Sequence, residues 1–319
     1  MGGNRVEHRV WLAPMAGYTD APFRQLCAEQ GAALCFAEMA SAEGIHRGSG
    51  KTLALLDRFA GEQSLGAQLF VADPLRAASA ACAVAARGPL LIDLNCGCSV
   101  PKVLKGGCGA ALLRSPALVG AIVRAMRSET DVPVSVKLRL GWDESSLTFM
   151  DCAAEAIAAG AAMVTLHPRT RAQGFRGRAR WEEIGRLKAA SPVPVFGSGD
   201  LLSAGDCLAM AERTGVDGVM IARGAIGNPF IFAETLGLAR GEPRLFGPAA
   251  RLGAAVRHLE LAAARSGERV ACREMRKHFV AYSKGLEGGA AFRQQIVHAS
   301  SIDRYRQLVE EFLATLAPG

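Results

Sequence analysis

Cys98 offers more chemistry than any other residue of this chain. It stands in Asp93-Leu-Asn-Cys-Gly-Cys-Ser-Val-Pro-Lys102, directly after a run that reads as a buried strand, with Gly97 and Pro101 shaping a loop. A thiol at such a place serves as nucleophile, metal ligand or proton donor. No metal is expected, because Cys96, Cys98 and Cys108 match no ligand spacing and no His lies near them in sequence. Cys96 reads as a chance second cysteine. Lys137, in Val134-Ser-Val-Lys-Leu-Arg-Leu-Gly141, sits at another strand end. A Lys there either holds negative charge on a reduced flavin ring or a substrate carbonyl, or is solvated. His167 can donate to the same ring, or be a satisfied buried histidine. Two further segments are rich in glycine, Gly197-Ser198-Gly199-Asp200 and Ala222-Arg223-Gly224, and a helix start follows at Asn228-Pro229. Backbone amides bared by glycine, with the cation of Arg223 beside them, suit a phosphate; tight turns alone are the plainer account.

These residues share one rim only if the elements beneath them form a barrel. Eight short apolar runs read as strands: Val10–Pro14, Ala33–Ala37, Leu65–Phe70, Leu90–Asn95, Val134–Leu138, Met163–His167, Val193–Gly197 and Gly218–Ile221. Each is apolar almost throughout, as parallel strands buried on both faces are. Helical patterns lie between them, with punctuation at Ser115-Pro116, Gly160, Ser203 and Gly215. Eight such pairs over about 240 residues are the count and length of a (β/α)8 TIM barrel, with a doubly wound open sheet as the alternative. A barrel carries its site at the C-terminal ends of its strands. At those ends stand Pro14-Met15-Ala16, Gln68, Asn95 to Cys98, Lys137 and Arg139, His167, Arg169 and Arg171, and the two glycine-rich segments.

The pattern changes at Gly241–Pro248. Beyond it no run reads as a strand, and four amphipathic helices are marked by Leu252 to Ala263, Met275 to Tyr282, Phe292 with Ile296, and Ile302 to Leu316 after a Ser300-Ser301 cap. The expected division is therefore a barrel domain over 1–243 and a small helical bundle over 244–319. Residues 246–319 hold 11 Lys and Arg against 7 Asp and Glu, over half of the chain's net charge of +7. That excess suits a polyanionic partner. With 319 residues, 50% of them hydrophobic, the chain can bury a large core, which excludes disorder as its main state. No apolar run reaches the ~20 residues a bilayer needs, and Met1–Arg9 has no apolar region of a secretory signal. Nine cysteines without a CxxC pair read as reduced thiols, and a cytoplasmic location is expected.

The motifs taken together resemble a known family. Ala13-Pro-Met-Ala-Gly-Tyr-Thr-Asp-Ala-Pro-Phe-Arg24, Gln68, Asp93-Leu-Asn-Cys-Gly-Cys98, Val136-Lys-Leu-Arg139, His167-Pro-Arg-Thr-Arg171, Gly199-Asp200 and Ala222-Arg-Gly-Ala-Ile-Gly-Asn-Pro229 are similar to those of the tRNA-dihydrouridine synthases. The stretch Arg276-Lys-His-Phe-Val-Ala-Tyr-Ser-Lys284 is most like that of the bacterial B-type branch. The likeness runs from Val10 to Ile296, in order and at similar spacing. It implies a barrel that binds FMN non-covalently and a helical domain that binds tRNA. The FMN-binding positions it implies are Pro14, Met15, Ala16, Gln68, Lys137, His167, Ser198, Gly199, Asp200, Ala222, Arg223 and Gly224. Asn95, Lys137, Arg139, Arg169 and Arg171 would hold the flipped uracil and nearby phosphates, and Cys98 would be the general acid. NADPH would reduce the flavin first and leave before RNA enters.

The resemblance also favours a phosphate-binding strip of Arg273, Lys277 and Lys284, at i, i+4 and i+11 on a face opposite Met275, Phe279 and Tyr282. A monomer without a membrane or metal partner is expected. The sequence departs from the family pattern at Ser198 (usually Asn), Pro168 (usually Gly) and Cys96 (usually Met), and in the basic loop Arg176, Arg178, Arg180. Other readings are a small-molecule FMN oxidoreductase of the dihydroorotate dehydrogenase or ene-reductase kind, which leaves the basic bundle unexplained, and a non-catalytic tRNA binder.

Overall fold

The computed structural model describes residues 9–316. The polar start read from Met1–Arg9 therefore lies, Arg9 apart, outside the described residues. Eight parallel strands form the barrel: β1 (Val10–Leu12), β2 (Leu34–Phe36), β3 (Leu65–Phe70), β4 (Leu91–Cys96), β5 (Val134–Arg139), β6 (Met163–His167), β7 (Val195–Gly197) and β8 (Gly218–Ile221). Each pairs with its neighbours in chain order, and β1 closes the ring on β8 with Val10 opposite Val219. The open-sheet alternative is thereby excluded. A two-residue strand, Ala40–Ser41, adds to the end of β3 beside Leu69 and Phe70. The apolar composition has its expected cause: β2, β4, β6, β7 and β8 are buried at every position.

Local chemistry sets the element ends. Ser203 and Asp206 form a reciprocal capping box on the helix Ala204–Thr214, which stops at Gly215 in the left-handed region. Asp20 accepts from the Phe23 amide and starts the helix Ala21–Glu29. β1 stops short of Pro14 and β7 begins after Pro194, since proline has no N–H to give the ladder. Ser115 precedes its helix without a side-chain cap bond. Thr148 instead donates to the Leu113 carbonyl at 2.5 Å.

Beyond the barrel lie the helices Pro248–Ser266, Glu268–Tyr282, Gly289–Ile296 and Ile302–Thr315. They enclose a hydrophobic cluster of their own, in which Leu259, Met275, Phe279, Tyr305 and Phe312 meet. Their first helix lies along Ala21–Glu29 and is tied to the barrel by Arg257–Glu29 at 2.6 Å and Arg265–Asp57 at 2.8 Å. The second ends at Tyr282, so Arg273 and Lys277 stand on it, whereas Lys284 falls in the turn after it. The single helical face drawn through all three is thus limited to two. Among the described residues, no helix is long and apolar enough to cross a membrane.

Candidate active site

The C-terminal ends of the strands surround a cavity of about 310 Å³, a size suited to a small ligand. Fourteen of the residues singled out in the sequence line it: Pro14, Met15, Ala16, Gln68, Asn95, Cys98, Lys137, Arg139, His167, Ser198, Gly199, Asp200, Ala222 and Arg223. Met39, Phe175, Leu201 and Leu202 join them. The loops following six of the eight strands and the interior ends of β3 and β5 supply this lining, which is why residues so far apart in sequence converge.

A chain of side-chain hydrogen bonds crosses the floor. Ser135 Oγ donates to Asp93 Oδ1 at 2.6 Å, Gln68 Nε2 donates to Asp93 Oδ2 at 2.7 Å, and Asn95 Nδ2 donates to Gln68 Oε1 at 2.7 Å. Asn95 Oδ1 then accepts from the backbone amides of Gly97 at 3.1 Å and Cys98 at 2.9 Å. Burial pushes the Asp93 carboxyl up to about 6, with Ser135, Gln68 and the charge of Lys137 opposing the shift. Asp93 and Ser135 were not singled out from sequence. A lone acid inside a mostly apolar strand was the signal available for Asp93.

Cys98 is half-buried at the mouth, and burial raises its thiol pKa above the ordinary value against a hydrogen bond from Val100 and the charge of Arg139. The thiol is therefore protonated at neutral pH. Cys96, two residues away, points into the core and is fully buried. Lys137 makes no hydrogen bond or ion pair among the described residues. Burial, then Arg139, brings its ammonium down to about 8, with Asp93 opposing. Arg139 is brought down to about 10 by burial, then by Arg169 and Arg223. It donates to the carbonyls of Gly97 at 2.8 Å, Thr170 at 3.1 Å and Gly174 at 2.9 Å, which joins the β4 and β6 loops.

His167 is buried and held neutral, well below its ordinary pKa, by burial first and then by Lys137, Arg139, Arg169 and Arg223. Its Nε2 lies 3.4 Å from Arg169 Nη1. A guanidinium can only donate, so Nε2 accepts and Nδ1 carries the proton. Gly199 has φ +106°, and a Cβ there would stand 2.7 Å from His167 Cδ2. Phe175 is an exposed aromatic at the rim with the Arg223 guanidinium 4.6 Å from its ring centre. Its place in the arginine-rich loop after β6 was the only hint of it in the sequence.

Six of the singled-out residues do not line the cavity. Gly224 packs the β8 loop on the β7 loop, where a Cβ would stand 2.3 Å from the Leu201 carbonyl oxygen. Arg169 is buried, and its guanidinium is spent on Asp200 at 2.9 and 2.7 Å and on the Gly177 carbonyl at 2.6 Å. Arg171 stacks on Trp142, whose other contact is Arg114; the two guanidinium carbons lie 4.3 and 3.5 Å from the ring centre. Arg273 and Lys284 are exposed. Lys277 donates its ammonium to the Gly17 carbonyl and lies 5.2 Å from the Tyr18 ring centre, so it clasps the loop after β1.

Three cations, Lys137, Arg139 and Arg223, face the cavity against one carboxylate, Asp200, which already accepts from Arg169, Ala179 and Arg223. The site is built for an anionic ligand. Among the described residues, no group of three or more His, Cys, Asp or Glu side chains gathers where it could hold a metal.

The chain is 40% identical to a probable tRNA-dihydrouridine synthase of Treponema pallidum, over 98% of this chain and 95% of the relative. It is 36% identical to tRNA-dihydrouridine synthase B of Pseudomonas aeruginosa, again over 98% and 95%. A solved structure, 6-hydroxypseudooxynicotine amine oxidase of Pseudomonas geniculata, shares the fold at TM-score 0.56 and 16% identity, over 77% of this chain and 50% of that one. The dihydrouridine synthase family model matches residues 11–317. A barrel whose rim carries these residues, with that match along nearly its whole length, leads to one conclusion: the chain belongs to the dihydrouridine synthase family and is an oxidoreductase.

Proposed function

We propose that this protein reduces the C5–C6 double bond of a uridine in the D-loop of tRNA, with FMN as its cofactor and NADPH as the reductant. The observation that carries the reading is a half-buried thiol, Cys98, at the mouth of a cation-lined cavity that also holds Lys137, unpartnered among the described residues.

The residues fit FMN. Lys137 lacks a protein partner among those described and is placed to take up negative charge. Gly199 leaves space that a side chain would fill, and Arg223 stands beside it, half exposed, as a phosphate ligand. FMN, when bound and reduced by NADPH, supplies a hydride for C6 of the uracil. Cys98 delivers a proton to C5; a half-buried thiol with a raised pKa holds that proton until a basic carbon is presented. Arg139 braces the loop that carries Cys98, and Asn95 fixes its backbone. Pro14, Met15, Ala16, Gln68, Ser198 and Ala222 supply the walls. Gly224, Arg169 and Asp200 hold the loops that carry the phosphate ligands, and Arg171 meets RNA outside the cavity. The uracil must leave its stack to enter.

The barrel domain over 1–243 carries the chemistry in this proposal, and the helical domain over 244–319 meets the RNA. Arg273 and Lys284, exposed and without an ion pair among the described residues, are its phosphate contacts, with Lys277 beside them. The protein acts as a cytoplasmic monomer. Nucleoside mass analysis of tRNA from a deletion strain tests the reading. One D-loop position should revert from dihydrouridine to uridine and recover with the wild-type gene. An unchanged dihydrouridine content would overturn it.

A further inference from the structure

We propose that Asp93 is a positioning residue, which sets the direction of a relay of amide groups and so holds the loop that carries Cys98. The proposal rests on the reading above only for what Cys98 does; the relay is read from geometry.

Four residues of the relay come from adjacent strands in register. Gln68 of β3 is opposite Asp93 of β4, which is opposite Ser135 of β5. Asn95 lies two residues after Asp93, and strand alternation turns it to the same side of the sheet. All four are buried, with Asp93 and Ser135 at 0% exposure.

An ionised carboxylate only accepts hydrogen bonds. Asp93 therefore forces the amide nitrogen of Gln68 toward itself, at 2.7 Å. That leaves the Gln68 carbonyl oxygen to face Asn95 and draws the Asn95 amide nitrogen toward it, also at 2.7 Å. Asn95 is left with its oxygen toward the loop, where it accepts from Gly97 and Cys98. Each amide by itself could be turned around. Turning Gln68 would set its carbonyl oxygen against a carboxylate oxygen, and turning Asn95 would set its N–H donors against two backbone donors. In a buried site such a mismatch is costly, so one charge fixes two amide orientations along the floor. A buried Asp kept only for packing would need none of this directionality.

Amide hydrogen exchange of the purified full-length protein, followed at Gly97 and Cys98, tests the relay without any RNA. Asp93→Asn makes both amide orientations available, and exchange at these two amides should rise by about tenfold while the central amides of β5 and β6 keep theirs. The double variant Asp93→Asn with Gln68→Glu moves the acceptor one step along. The carboxylate introduced on β3 then accepts both from the amide introduced on β4 and from Asn95, and protection should return. Iodoacetamide labelling of Cys98 should change rate in the single variant and revert in the double. If Asp93→Asn does not fold, Gln68→Leu cuts the relay while Asp93 keeps Ser135, and it should expose the same two amides. Wild-type exchange at Gly97 and Cys98 in either single variant, or a double variant no better than Asp93→Asn, overturns the proposal. A wild type that forms no dihydrouridine would overturn the activity and leave the relay standing.

Discussion

At the scale of single residues, two cysteines two positions apart have opposite surroundings. Cys98 borders the cavity, whereas Cys96 is part of the core. Cys98→Ala should leave flavin reduction by NADPH intact and cut dihydrouridine formation by about 10²–10⁴-fold, the usual contribution of a positioned acid. Cys96→Ala should instead lower the unfolding temperature with little loss of rate. Single-turnover assays on the two variants check this; the reverse pattern would mean the acid has been misassigned. Lys137 makes a prediction in pH. Its ammonium is depressed to about 8 from an ordinary 10.5, so the folded chain without its cofactor binds fewer protons than the unfolded chain between those values. The cost of burying this charge is present in full below about 8, shrinks as pH rises from there, and is gone above 10.5. Lys137→Met should therefore stabilise the flavin-free protein by about 1 kcal/mol at pH 7, with the gain fading toward pH 10, while FMN retention falls. Denaturant titrations at three pH values, with the flavin content of each preparation, give both answers.

At the scale of elements, the barrel places the site by the termini of its strands and the loops that leave them. The capping box of Ser203 with Asp206 starts the helix behind the β7 loop. Ser203→Ala should cost about 1 kcal/mol, read as a lower unfolding midpoint, without loss of bound flavin. Gly199 is different, because its backbone is in the left-handed region and its missing side chain leaves His167 its place. Gly199→Ala should release FMN, seen as a colourless preparation that full-strength FMN restores only weakly. A variant as yellow as wild type would remove this loop from the flavin site.

At the scale of the whole molecule, the helical region stands on the β1 side of the barrel, held by Arg257, Arg265 and the Lys277 clasp. The opposite side of the mouth carries the Arg114–Trp142–Arg171 stack and the arginines of the β6 loop. A polyanion lying across the mouth would touch both. Each phosphate neutralised releases counterions, so tRNA affinity should fall steeply with salt. Replacing Arg273, Lys277 and Lys284 together by Ala should weaken binding and flatten the salt slope by about two rather than three, since Lys277 is already committed to Gly17. Binding titrations at several salt concentrations measure this. Equal slopes for wild type and variant would place the RNA elsewhere, against Arg176, Arg178 and Arg180.

The sequence by itself determined eight buried parallel strands with helices between them, because strands buried on both faces must be apolar almost throughout; the pairing of β1 with β8 decided that they close into a barrel and not an open sheet. The sequence also determined most of the rim, since a strand's last residues and its following loop must lie at that end. It determined the helical tail through the apolar spacing of Leu252, Met275 and Tyr305. Only the tertiary structure decided how the charges are spent. Arg169 reads as a ligand in sequence and is consumed by Asp200; Lys277 reads as a phosphate contact and holds Gly17. Asp93, the one acid in a mostly apolar strand, became the acceptor at the head of a relay because register set it between Gln68 and Ser135. Periodicity records which face a residue occupies. It does not record which partner, far away in the chain, will satisfy a charge, and in a buried site that partner decides whether the charge is free to meet a ligand.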